Sequence, residues 1–276
     1  MRRIPMATYP TNRYHALAER VFVERYRDGD LVVEFARGEI ESAASELGIA
    51  LPKNLGDIIY SLRYRTDLPK AISDTAPKGM EWTIKGMGRS RYAFCLVPKI
   101  ELGPNPSLAA TKIPDATPEL VAALALSDEQ ALLAKIRYNR ILDLFLGLVT
   151  YSLQSHLRTT VKAIGQIEVD ELYVGVDRRG RQFVIPVQAK GGKDRLRAIQ
   201  TEQDIALCRH RFPGLICRPI SAQFMTDGRM ALFELVEQEG QIRILEERHY
   251  VLVPAADISA ADLATYCRSS AAKDAC

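Results

Sequence analysis

The stretch from Gly165 to Lys190 constrains the fold of this chain more than any other part of the sequence. Apolar and polar residues alternate in the first half of QIEVDELYVGV, and a second strand-like segment, RQFVIPVQAK, follows the turn DRRGR. Alternation with period two is typical of a strand with one buried face. A short polar segment with a glycine is typical of the turn between antiparallel strands. The sequence therefore predicts a β-hairpin that any assigned fold has to contain.

The elements around this hairpin predict a layered domain with a mixed sheet. A long helical stretch is predicted from about Ser127 to Lys162, and a second helix over residues 194–212 follows the hairpin. Further strands are predicted over LICRPISAQFM, RMALFELVEQ and QIRILEERHYVLVP. Helices and strands in this order favour an α/β arrangement in which helices cover a mixed sheet.

The first hundred residues have the element order of a winged helix. Helices are predicted over residues 15–27, 37–47 and 52–65, and the strands EWTIKGM and RYAFCLVP form a hairpin after them. The predicted fold class is therefore α/β (α+β), with a winged-helix-like DNA-binding domain over 1–100 and a mixed-sheet domain over 127–276. Residues 101–126, which contain a segment rich in Pro and Asn, are predicted to connect the two.

The distribution of charge indicates a nucleic acid partner better than the net charge does. The whole chain carries a net charge of only +3, but residues 51–100 contain nine bases and four acids. A local excess of this kind is the electrostatic footprint of DNA binding. In a winged helix, the third helix enters the major groove and the hairpin contacts the backbone. The predicted DNA contacts in this domain are Lys53, Asn54, Arg63, Arg65, Arg89 and Arg91.

The compartment is predicted from the cysteines and from the hydropathy. Five cysteines are scattered without a CxxC pair, which favours a reduced chain with no disulfide framework and no zinc cluster. No apolar run approaches the roughly 18 residues that a membrane span needs. We therefore expect a cytoplasmic protein that does not associate with membranes.

The predicted hairpin brings together side chains that suit phosphodiester hydrolysis. If Asp170 lies beside Gln188 and Lys190, then a carboxylate, an amide oxygen and an ammonium group converge. A hard divalent cation is bound by carboxylate and carbonyl oxygens and keeps several waters. A lysine next to it can stabilise developing charge or assist the attacking water.

This arrangement resembles the PD-(D/E)XK nuclease superfamily, over about residues 130 to 255. The segments GQIEVD and PVQAK are similar to those of Holliday-junction resolvases and many type II restriction endonucleases. The resemblance implies that Asp170, Gln188 and the backbone carbonyl of Ala189 bind Mg²⁺, with Mn²⁺ able to substitute. It also implies that Lys190 is the catalytic lysine.

The family often has a glutamate on the helix before the hairpin, and the segment YSLQSHLRTTVKAIG contains none. Gln154 and Arg158, one turn apart on the predicted helix, are expected to face the site instead. Glu168 lies on the same strand face as Asp170 and is expected to act as the missing acid. Gln203, on the helix after Lys190, is expected to contact DNA or the metal site.

The sequence as a whole predicts a Mg²⁺-dependent DNA endonuclease, either a type II restriction enzyme or a related defence nuclease. Because cutting both strands of double-stranded DNA usually needs two active sites, a homodimer is expected. Two alternatives stay open. One is a structure-selective nuclease that resolves junctions or acts in repair. The other is a winged-helix DNA-binding protein whose nuclease fold is inactive.

Overall fold

The computed structural model describes residues 12–100, 102–124, 129–161, 164–191 and 196–271. The chain divides into two compact units, one formed by Met1–Glu101 with Thr160–Gln166 and the other by Leu102–Thr159 with Ile167–Cys276. One unit has a three-stranded antiparallel sheet and the other an eight-stranded mixed sheet. The predicted fold class, mixed α/β, is therefore confirmed.

The first unit has helices on a small sheet. Its elements are α1 (Arg13–Arg25), β1 (Val32–Ala36), α2 (Arg37–Leu47), α3 (Gly56–Tyr60) with a π-helical turn (Ser61–Arg65), α4 (Lys70–Ser73), β2 (Met80–Gly86) and β3 (Arg91–Pro98). The strand order is β1-β3-β2, with both pairs antiparallel. Strand β1, which was not predicted, pairs with β3 and completes the sheet beside the predicted hairpin.

Local signals in the sequence set the ends of α2. The Glu39 side chain accepts a hydrogen bond from the Ala36 N–H at 2.7 Å, which satisfies a backbone donor at the start of the helix. Gly48 follows the helix with φ of 64°, a left-handed conformation that glycine adopts at little cost. The buried face packs into an aromatic core in which Phe94 contacts Phe22 and Phe35.

The second unit is built on the large sheet. Its strands are β4 (Ala110–Pro114), β5 (Val149–Val161), β6 (Gly165–Val176), β7 (Gln182–Lys190), β8 (Ile216–Cys217), β9 (Ile220–Phe224), β10 (Met230–Gln238) and β11 (Gln241–Val253). Its helices are α5 (Glu119–Leu124), α6 (Glu129–Tyr138), α7 (Ile141–Leu146), α8 (Ala198–Arg211) and α9 (Ala260–Ala271), with a 3₁₀ turn at Ala255–Asp257. The strand order is β4-β11-β10-β9-β7-β6-β5, and β8 also pairs with β7.

The predicted hairpin is β6 and β7. Their antiparallel register runs from Val176 opposite Gln182 to Glu171 opposite Val187. In the turn, Asp177 accepts hydrogen bonds from the backbone N–H groups of residues 179 and 181, each at 2.9 Å. Strand β7 then pairs in parallel with β9, so it lies inside the sheet, and its apolar residues pack against α6 and α7.

The long helix predicted from Ser127 to Lys162 is wrong. The described part of this stretch contains two short helices and then the strand β5. Arg140, between the helices, has φ of 50°, and Gly147, after the second, has φ of 66°. Left-handed residues interrupt a helix, because its hydrogen-bond ladder cannot continue through them. The segment predicted to connect the domains also contains structure, because β4 pairs in parallel with β11.

None of the helices in the described ranges is long and apolar enough to cross a membrane.

Candidate active site on the central hairpin

The candidate site lies where β6 and β7 separate. Their backbone pairing ends at Glu171 and Val187, although each strand continues to the next residues, Asp170 and Gln188. Beyond this point, contacts between side chains and backbone bridge the two strands. The sheet therefore opens into a fork, and Asp170, Gln188 and Lys190 lie at this fork.

Asp170 is held at the fork by the backbone of the opposite strand. Its Oδ2 accepts a hydrogen bond from the Ala189 N–H at 2.8 Å. In a strand, the N–H and C=O of one residue point to the same side. The Ala189 carbonyl therefore faces the side on which Asp170 lies, as the predicted ligand set requires.

The surroundings of Asp170 disfavour the charged form of its carboxyl group. Burial raises the pKa of its carboxyl above the ordinary value, and the Glu129 and Glu168 carboxylates raise it further. The Ala189 N–H and the Lys190 ammonium oppose this rise. A carboxylate that is desolvated and close to other acids gains from a cation beside it.

Gln188 is almost completely buried, and the surrounding acceptors fix its amide. Nε2 donates to the Glu168 carbonyl oxygen at 3.0 Å, and to Asp204 Oδ2 at 3.0 Å and Oδ1 at 3.2 Å. In the part of the chain that the structure describes, all the hydrogen bonds of this side chain use Nε2. Its Oε1 therefore keeps its lone pairs for another partner, such as a cation.

Lys190 forms an ion pair with an acidic residue of helix α6 at the fork. Its Nζ lies 3.2 Å from Glu129 Oε1, and the lysine side chain is only 11% exposed. Glu129 is in the first turn of α6, where the helix dipole favours a negative charge. The ammonium group is therefore held in a protected position, and its electrostatic influence reaches Asp170.

A further acid lies behind Gln188 on helix α8. Asp204 is 1% exposed, and burial raises the pKa of its carboxyl well above the ordinary value. The charge of Asp170 raises this pKa as well, whereas the hydrogen bond from Gln188 and the charge of Lys190 lower it. Asp170, Gln188, Lys190 and Asp204 therefore form one electrostatic cluster.

The donor groups at the fork fit a hard divalent cation that keeps most of its waters. Among the described residues, no set of three or more His, Cys, Asp or Glu side chains is arranged to hold a metal ion. The ligand set implied by the family resemblance is different, since it combines the Asp170 carboxylate, the Gln188 amide oxygen and the Ala189 carbonyl. Such a mixed set of oxygen ligands suits Mg²⁺, which protein sites usually hold through one or two carboxylates and several waters.

Two predicted site residues lie on a different element from the one expected, and two others lie on the expected element but with contacts that were not predicted. Gln154 and Arg158 are exposed on strand β5 and not on a helix, because the residues after Gly147 form the edge strand of the sheet. Arg158 forms an ion pair with Glu168 at 2.9 Å. Glu168 thus lies beside the fork, but its carboxylate contacts an arginine. Gln203 is buried on α8 with 6% exposure, so its side chain does not present a surface to DNA.

The predicted DNA contacts of the first unit differ in exposure. Lys53, Asn54, Arg89 and Arg91 are exposed, whereas Arg63 is 7% exposed and therefore presents little surface to DNA. Two of the exposed residues have partners. Asn54 bonds to the start of α3, and Arg91 forms an ion pair with Glu34 at 2.9 Å. The Arg65 side chain lies outside the described part of the structure.

Two residues of the site escaped prediction, Glu129 and Asp204. The helix before the hairpin was predicted to include residues 151–165, a stretch without a glutamate, and the structure shows most of that stretch to be strand β5. The segment Ser127-Asp128-Glu129 has the sequence of a typical helix start, and this signal indicates Glu129 as the acid of the preceding helix. No comparable signal marks Asp204, because its role depends on how α8 packs against the sheet.

Comparisons with known proteins add no relative to this geometry. A scan against protein-family models, a search of curated proteins and a search of solved structures each gave no match.

Proposed function

We propose that this protein is a metal-dependent DNA endonuclease of the PD-(D/E)XK type. The observation that carries the proposal is the fork between β6 and β7, where the Asp170 carboxylate binds the Ala189 N–H beside Gln188 and Lys190. Helix α6, which carries Glu129, comes before the neighbouring strands β5, β6 and β7 in the chain. Helix α8 and strand β9, which is parallel to β7, come after them. This order supports the resemblance that the sequence indicated.

Each residue at the fork has a role that its contacts support. Asp170, Gln188 Oε1 and the Ala189 carbonyl would hold Mg²⁺, with Mn²⁺ able to replace it. The bound ion would neutralise charge on the scissile phosphate. Lys190, held by Glu129, would orient the attacking water and stabilise negative charge as it develops.

The substrate proposed is double-stranded DNA, and the first unit supports this choice. Its winged-helix order and its exposed Lys53, Arg89 and Arg91 suit contact with a phosphate backbone. We further propose a homodimer, since each chain would supply one active site and duplex cleavage needs one for each strand. Defence against foreign DNA, as in type II restriction, is the role that best combines a DNA-reading unit with a nuclease.

The test is cleavage of supercoiled plasmid DNA with Mg²⁺, with Mn²⁺ and with EDTA, for the wild type and three variants. We expect cleavage that EDTA abolishes and that K190A and D170N reduce by 100-fold or more. D227N is the matched control for D170N, because Asp227 is a half-exposed aspartate in a turn, paired with Arg229. It should cleave like the wild type.

The outcomes separate the proposed function from its alternatives. Cleavage that survives in K190A and D170N, or that survives EDTA, would place the activity elsewhere and refute the assigned site. Binding of DNA without cleavage of plasmid or branched substrates would favour the inactive nuclease fold. Discrete plasmid fragments would support restriction, whereas preference for four-way junctions would support a resolving or repair nuclease.

A further inference from the structure

The amide of Gln188 can bind a cation in only one of its two orientations, whereas a glutamate at this position could bind in either. A carboxylate presents an oxygen to a cation whichever way it is turned. An amide has one oxygen end and one NH₂ end, and only the oxygen can bind a cation. A glutamine ligand therefore needs neighbours that fix which end faces the metal.

The neighbours of Gln188 select the orientation that leaves the oxygen available. The Glu168 carbonyl and the Asp204 carboxylate both lie about 3.0 Å from Nε2. Together they use both N–H donors of the amide. A flipped amide would place Oε1 against the Glu168 carbonyl oxygen, two acceptors with no hydrogen between them, which is unfavourable in a buried site.

We propose that Asp204 is the positioning residue that makes Gln188 a metal ligand, by holding Nε2 toward helix α8 and leaving Oε1 for the cation beside Asp170. This inference rests on the proposed function and extends it to a residue outside the ligand set. Gln188 and Asp204 then act as a pair, so that a change in one alters the best choice for the other.

The proposed pairing predicts that D204N changes Mn²⁺ affinity in opposite directions in the wild type and in Q188E. In D204N, the new amide offers a donor as well as an acceptor, so only the Glu168 carbonyl still requires Nε2 on its side, and the preference for one orientation of the Gln188 amide becomes weaker. We expect Mn²⁺ affinity to fall by about 10-fold, the lower end of the usual loss when a residue behind a metal ligand is changed. In Q188E, two buried carboxylates face each other, and adding D204N supplies a donor to the new ligand. There, D204N should raise the affinity.

The measurement is Mn²⁺ binding to the full-length protein by electron paramagnetic resonance, without DNA, for the wild type, D204N, Q188E and Q188E/D204N. Thermal melting of each variant checks the fold. If D204N alone does not fold, the comparison of Q188E with Q188E/D204N still tests whether D204N raises Mn²⁺ affinity in the Q188E background.

Opposite effects of D204N in the two backgrounds would establish the pairing. Equal effects of D204N in both backgrounds, or a Mn²⁺ affinity that D204N leaves unchanged, would overturn this inference. The proposed function would not be affected by either result. A wild-type protein that binds no Mn²⁺ and cleaves no DNA would overturn both.

Discussion

The ion pair between Arg137 and Glu171 allows a quantitative test of what stabilises the second unit against unfolding. Glu171 is completely buried on β6, one residue after Asp170, and its Oε1 accepts from Arg137 Nε at 2.9 Å and from Ser152 Oγ at 2.7 Å. Its Oε2 is buried with no hydrogen-bond partner within the described residues. The carboxylate therefore depends on Arg137 for most of its compensation.

Replacing Arg137 by methionine keeps most of the side-chain volume but leaves this carboxylate without its cation. Breaking a buried pair costs about 3–5 kcal/mol. Because Arg137 itself is 43% exposed, we expect the low end, about 3 kcal/mol. In a unit of this size that corresponds to a fall in Tm of about 6–12 °C. R137M/E171M should recover most of the loss, since no buried charge remains.

The assay is urea denaturation followed by two probes. Circular dichroism reports on the whole chain, whereas fluorescence of Trp82, the only tryptophan, reports on the first unit. R209M is the matched control, because Arg209 is 68% exposed and its pair with Glu237 should contribute less than about 1 kcal/mol. A loss below about 1 kcal/mol in R137M, or a double variant as unstable as R137M, would refute the reasoning.

Three further predictions concern other parts of the chain. A Cβ at Gly86 would lie 2.6 Å from the Ile164 carbonyl oxygen, so G86V should destabilise the first unit by about 1–3 kcal/mol in a Trp fluorescence melt, and an unchanged midpoint would contradict this close approach. F94A should cost the same unit about 3–5 kcal/mol, because Phe94 is 1% exposed in the aromatic core; a loss under about 1 kcal/mol would contradict that packing. Hydrogen bonds from Ser259, together with a neighbouring lysine, lower the pKa of Asp262 to about 2. The folded pKa is below the unfolded value of about 3.9, so this stabilisation is present above that pH and is lost as the pH falls toward 2. Acid titration of D262N should lack this part of the pH dependence, and identical acid profiles would refute it.

The hairpin and the helices of the first unit could be predicted because their signals are local. Alternation in β6, the turn residues after Val176, and Gly48 at the end of α2 are each determined within a few residues. Asp170, Gln188 and Lys190 could be predicted from the hairpin alone, because they lie just beyond the last residue pair of its register.

Strands β4 and β5 of the second unit were not predicted, because neither carries a complete local signal. Strand β5 is an edge strand, and residues 151–156 are exposed on both faces, so the alternation of Val149, Tyr151 and Leu153 with polar residues does not mark a buried face. Strand β4 is only five residues long and pairs with β11, far along the chain. Glu129 and Asp204 reach the fork only because α6 and α8 pack on the sheet, and no local pattern encodes that placement.

The inclusion of Thr160–Gln166 in the first unit limits how this protein can be taken apart or recombined. The chain passes from one unit to the other three times, at residues 101, 159 and 166. Proteolysis near residue 101 would leave a nicked protein whose pieces share folded structure. A fragment that starts at Leu102 would carry a segment without its packing partner. In evolution, a single crossover between genes could not replace the first unit with another, because part of it is encoded inside the sequence of the second unit.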